Sequence, residues 1–172
     1  MKQAENTPAE TAATVKCDLA GEVLRSFGSL CFPAIGRSMV PSFWPQDTLV
    51  VHSVVPNQVQ IGDVVVVGRR GSLCAHRVIG VERDAQNPRW ITQGDALPEP
   101  DLPVFENELL GRVAYVIRAG RLIPVPAELS VVERVTAKIV RHWVPAARTL
   151  VLMHRLIHSR GKLASREVSC QS

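Results

Sequence analysis

A serine, a histidine and two aspartates are the residues of this chain whose types fit nucleophilic catalysis. Ser38 lies in Gly36-Arg37-Ser38-Met39-Val40-Pro41 and His76 in Cys74-Ala75-His76-Arg77-Val78. Asp95 lies in Thr92-Gln93-Gly94-Asp95 and Asp101 in Pro98-Glu99-Pro100-Asp101. A serine hydroxyl is a weak nucleophile until a neighbouring base takes its proton. Histidine, with an unperturbed pKa of about 6.5, suits that task near neutrality. A carboxylate on the far ring nitrogen fixes the tautomer and stabilises the imidazolium that forms. Ser38 is therefore the candidate nucleophile and His76 the candidate base. Asp101 or Asp95 is the candidate orienting acid, and the reaction class is acyl transfer through a covalent intermediate.

The segments around these residues must position them. Gly36 is expected to adopt a φ closed to other residues and to let substrate approach the backbone N–H groups that stabilise an oxyanion. Arg37 and Met39 flank the nucleophile and complete the expected oxyanion and substrate-binding wall. Pro41 fixes its own φ and pushes Val40 toward extended backbone, so the box reads as a loop–strand junction. His76 falls in a strand-like run, and rigid elements hold catalytic geometry better than loops. Alone, a serine in a turn or a histidine in a strand is an ordinary structural residue. The ordered combination is what points to chemistry.

From Val15 to about Leu30 the apolar residues Cys17, Leu19, Ala20, Val23, Leu24 and Phe27 recur mostly at three- and four-residue spacing. That spacing predicts an amphipathic helix with Gly28 near its C-cap. Residues 1–14 are polar and read as a disordered leader. Strands are expected at Thr48–Val51, Asp63–Val67, Leu73–Val81, Trp90–Gln93, Leu109–Ile117 and Arg121–Val125, with Ala119-Gly120 as a tight turn. Turn-forming Pro, Gly and Asn residues separate these runs. The expectation is a mainly β chain, with a barrel- or sandwich-like core over 15–126 and helices flanking it at both ends. Residues 127–160 repeat apolar residues on one face (Leu129, Val132, Val135, Ile139, Trp143) and basic ones on another, predicting a basic amphipathic helical appendage. Residues 161–172 read as a tail.

The chain has 172 residues, enough for one domain with a core of its own. Residues 1–117 hold ten Lys/Arg and thirteen Asp/Glu, a balance of −3, whereas 118–172 hold ten and three, a balance of +7. The basic C-terminal third fits an anionic membrane surface or an acidic partner protein, and equally a solvated helix face; nucleic acid is a weaker fit. Cys17, Cys31, Cys74 and Cys170 form no CxxC pair and read as reduced thiols, which favours a cytosolic chain, peripherally membrane-associated if its basic third meets lipid. His154 and His158 are four residues apart, but no Cys or Glu ligand joins them, so neither metal nor other cofactor is expected. No apolar h-region of a secretory signal follows Met1, and no stretch reaches the roughly 18 apolar residues of a spanning helix.

The box from Gly36 to Phe43, followed by Asp47 and by Ile61-Gly62-Asp63-Val64-Val65, closely resembles the serine box and following strand of the type I signal peptidases. It is similar, too, to that of the self-cleaving SOS repressor peptidases. Where most of those enzymes carry a lysine base, this chain reads His76-Arg77-Val78-Ile79, which resembles the histidine branch of the endoplasmic reticulum and archaea. Thr92 to Ala96, with Asp101 beyond, resembles that branch's Thr-Lys-Gly-Asp box, with Gln93 in place of the lysine. Leu110-Gly111-Arg112-Val113 resembles its closing strand. Gly36 stands where signal peptidases usually have a serine. The resemblance covers about residues 34–126 and implies a signal-peptidase-like β core in which Ser38 attacks, His76 is the base, Asp101 orients it with Asp95 as the second candidate acid, and the Ser38 N–H helps hold the oxyanion. The implied substrate is a leader segment or preprotein cut after a small residue. Two other expectations stay open. One is a self-processing regulator, since Ala20-Gly21 resembles the bond cut by the self-cleaving relatives; the other is a catalytically silent interaction module.

Overall fold

The computed structural model describes residues 8–69, 71–82 and 88–127, with side chains from Val15 onward. Among the described residues one helix, α1 (Pro8–Phe27), precedes seven strands: β1 (Ser29–Pro33), β2 (Thr48–His52), β3 (Val64–Arg69), β4 (Ser72–Glu82), β5 (Arg89–Gln93), β6 (Leu109–Arg118) and β7 (Arg121–Pro124). All pair antiparallel, in the order β1-β2-β6-β3-β4-β5, with β7 on β6 beside this path. The chain is thus mainly β, as its β-branched runs predict. The expected C-terminal helix and tail lie outside the described residues.

Three local expectations are corrected. The helix starts at Pro8, so 8–14 is helical and not a disordered leader. Proline is pre-organised for a first helical turn and alanine is the best helix former, so Pro-Ala-Glu-Thr-Ala-Ala-Thr carries helical preference without an apolar stripe. The helix ends at Phe27, where Gly28 takes φ +73° and its N–H bonds the Leu24 carbonyl, and Ser29–Pro33 is a strand. That strand pairs with β2, placing Cys31 opposite Val50. Cys31 is disulfide-bonded, while Cys17 and Cys74 are free thiols. The expectation of four reduced cysteines therefore fails at Cys31, and the cysteines no longer favour a cytosolic compartment.

Strand β3 organises the interior. Its four valines alternate between two apolar clusters, Val64 and Val66 with Leu24, Met39, Phe43 and Leu49, and Val65 and Val67 with Val78, Trp90 and Val104. A strand covered on both faces reads as a continuous apolar run, as this one does. β4 lies against β3 with His76 opposite Val65 and Arg77 opposite Val64, so these neighbours face opposite clusters. Helix α1 buries Ala20, Gly21 and Leu24 and leaves Val15, Leu19 and Phe27 exposed. No helix among the described residues is long and apolar enough to cross a membrane.

Candidate active site

The structure brings Ser38, His76 and Asp101 together. His76 Nε2 is 2.9 Å from Ser38 Oγ, and Nδ1 is 2.6 Å from Asp101 Oδ2. His76 is supplied by the middle of β4 and is buried, at 6% exposure. Ser38 comes from the turn between β1 and β2, and Asp101 from the loop after β5. With Nδ1–H donated to a carboxylate, Nε2 is left to face the hydroxyl, which is the tautomer a general base requires.

Asp95, the second candidate acid, belongs to a different network. Its carboxylate receives Arg77 Nε at 2.9 Å and Nη2 at 3.0 Å, and it accepts from Ser42 Oγ. Both ring nitrogens of His76 are occupied by Ser38 and Asp101, so Asp101 is the acid on the histidine. The division follows from strand geometry. His76 and Arg77 are adjacent on β4 and point to opposite faces, so each takes one of the two acids that follow β5. Arg77 also donates to the carbonyls of Gly62 and Pro126 and to Ser42 Oγ.

The Ser38 turn is held through its backbone. Ala96 N–H donates to the Ser38 carbonyl at 2.8 Å, and a Cβ at Gly94 would stand 2.7 Å from that same oxygen. Gly94 is therefore required by close approach, a role its sequence context did not announce. Gly36 is the converse: it lies outside the left-handed region, and a Cβ there would meet only Ser38 Oγ, at 3.9 Å. The expectation of a glycine-only φ at position 36 is corrected. The box is also a turn and not a loop–strand junction, with a cis bond before Pro41 and the next strand starting at Thr48. Arg37 is exposed beside Ser38, and Met39 is buried in the first core cluster. Among the described residues the Ser38 N–H has no backbone acceptor. Thr92, which opens the Thr-Gln-Gly-Asp box and was given no role of its own, donates its hydroxyl to Asp101 Oδ2 at 2.7 Å.

An apolar cavity of about 450 Å³ opens beside Ser38, walled by Phe32, Ile35, Met39, Phe43, Leu73 and Ala75 among others. A larger one, about 640 Å³, lies between α1 and the loops around Pro56 and Glu106 and contains no nucleophile–base pair. The Ser38 cavity is bordered by two strand edges. Among the described residues β1 pairs only with β2, and Ser72–His76 of β4 pair only with β3, because β5 joins β4 from Arg77 onward. Ala20 and Gly21 are buried in the middle of α1, so that bond is reachable only if the helix unwinds.

Burial of the His76 ring favours its neutral form, but the hydrogen bond to Asp101, with help from Cys74, outweighs this and holds its pKa up at about 9. Burial pushes Asp101 upward, and the hydrogen bonds from His76 and Thr92, with the Arg69 charge, bring it below the ordinary carboxylate range. A base must be neutral to accept a proton. Any Ser38-dependent reaction is therefore expected to show kcat/KM rising about tenfold per pH unit below a limb near pH 9. Stability runs the other way. The His76 contribution is fully present below its unfolded value of about 6.5 and is lost as pH rises through about 9. A pH series of initial rates beside one of urea midpoints checks both; an activity limb near pH 6.5 contradicts the ion-paired resting state.

Comparison with protein-family models, with curated proteins and with solved structures finds no match to this chain.

Proposed function

We propose that this chain is a serine endopeptidase of the signal-peptidase-like type that its sequence boxes resemble. The observation that carries the reading is the hydrogen-bonded series from Ser38 Oγ through His76 to Asp101. Ser38 Oγ attacks the scissile carbonyl carbon as His76 Nε2 takes the hydroxyl proton. Asp101 keeps the other ring proton on Nδ1 and stabilises the imidazolium. The oxyanion is held by backbone N–H groups of the turn, that of Ser38 first. The C–N bond then breaks, His76 gives its proton to the leaving amine, and water repeats the sequence to release the acyl group.

An extended peptide suits the cleft. The two strand edges bordering the cavity offer main-chain hydrogen bonds of the kind used in strand addition, and the apolar walls support a small or apolar side chain before the scissile bond. A leader or signal segment has that character. The positive charge after residue 117 supports an anionic membrane or acidic partner as the working surface. The test is covalent labelling by an alkyl fluorophosphonate, followed by digestion and mass spectrometry. One adduct per chain on Ser38, with parallel loss of cleavage of a quenched peptide bearing alanine before the scissile bond, is the expected result. No adduct on Ser38 even at pH 9 would sink the reading.

A further inference from the structure

Asp101 is a loop residue, and its side chain is 28% exposed. A carboxylate so placed has rotational freedom that would spread its hydrogen bond to His76 over several geometries. Two devices remove that freedom. Arg69 pairs with Glu108 and donates to the carbonyls of Leu102 and Pro103, fixing the backbone just beyond Asp101. Thr92 acts on Asp101 itself from both ends. Its carbonyl accepts the Asp101 N–H at 2.8 Å, and its hydroxyl donates to Asp101 Oδ2, the oxygen that also faces His76 Nδ1. Thr92 is 1% exposed and sits on β5 opposite Val78, two residues along β4 from His76. Position and donor are therefore set by the sheet and not by the loop.

We propose that Thr92 is a positioning residue, a fourth link in the Ser38–His76–Asp101 series whose hydroxyl locks the Asp101 carboxylate in register with the histidine. The proposal rests on Ser38 being a nucleophile. A neutral hydroxyl is suited to this role. It adds a charge-assisted hydrogen bond that orients the carboxylate while leaving the negative charge that the imidazolium needs. Around His76 the other facing groups are Asp101 from the loop after β5, Ser38 from its turn and Cys74 from β4 itself, with Arg69 of β3 acting on Asp101.

The experiment measures the rate constant for Ser38 modification by an alkyl fluorophosphonate across pH, which needs no knowledge of the natural substrate. Thr92→Val keeps the shape and removes the donor. The plateau rate is expected to fall about 10–100-fold, the size of a lost hydrogen bond to a charged group. The alkaline limb is expected to move to higher pH, because a carboxylate relieved of one donor holds the imidazolium more firmly. Thr92→Ser should restore both. Should Thr92→Val not fold, Thr92→Ala removes the same hydroxyl and carries the same expectation. A Thr92→Val plateau equal to the parent's overturns the proposal, as does a fall in rate with an unmoved limb and no recovery in Thr92→Ser. A parent Ser38 that never reacts overturns the nucleophile reading and this proposal together. A reactive Ser38 with no peptide cleavage overturns only the peptidase reading.

Discussion

Ser38→Ala and His76→Ala are each expected to lower kcat for peptide cleavage by about 10⁶-fold, and the double variant by no more than either alone. The reason is that the two act as one unit: without the hydroxyl there is nothing to deprotonate, and without Nε2 nothing to deprotonate it. Asp101→Asn is expected to cost about 10⁴-fold in kcat while leaving the fold intact, because an amide cannot hold the base in the required tautomer or offset its charge. Loss of the carboxylate also removes a main support of the raised His76 pKa, so the residual activity of Asp101→Asn should show its limb at lower pH. Single-turnover kinetics on the quenched peptide, with circular dichroism on each variant, check these values. Additive losses in the double variant would mean that Ser38 and His76 serve separate purposes.

The second large effect concerns stability. Arg77 and Asp95 form a buried pair, with side chains 8% and 4% exposed. Arg77→Met leaves the Asp95 carboxylate in the interior without its bidentate partner and strips a donor from the carbonyls of Gly62 and Pro126. Removing one member of such a pair costs about 3–5 kcal/mol, which for a chain of this size is a fall in Tm of roughly 6–20 °C. The double change Arg77→Met with Asp95→Leu should cost less than the sum of the two singles, since it leaves no orphaned charge. Thermal and urea unfolding of the three variants measure this. A loss below about 1 kcal/mol for Arg77→Met would place the pair among weak surface contacts. Together with the Asp101 series, this separates the two acids: one change strikes the rate and the other the fold.

Much of this was legible in the chain. Runs such as Val64 to Val67 between Gly62 and Gly68 announce strands because the residues are β-branched and the boundaries are glycines. The Ala119-Gly120 turn was legible too, and both residues take positive φ between Arg118 and Arg121. Ser38 and His76 could be named from their local boxes. Asp101 was the first choice of acid and Asp95 the second, but the pairing of Asp95 with Arg77 was not read, although a signal for it exists. Consecutive residues of a strand point to opposite faces, so His76 and Arg77 are drawn to separate partners. β1 was missed because Ser29–Pro33 is too short for a period of its own and is defined by its pairing with β2. Gly94 was missed for a similar reason, since the atom that excludes a side chain there belongs to Ser38, far away in sequence.

The turn that carries Ser38 is gripped by its carbonyl oxygen, which receives Ala96 N–H and lies against Gly94. Shape at this position is therefore held through the main chain and not through the serine side chain. Replacing residue 38 by cysteine or alanine is therefore expected to leave the turn in place, as a tool head is changed on a fixed bracket. On the proposed peptidase reading, an alanine version would hold a peptide in the cleft uncut, giving a means of capturing the substrate from a mixture.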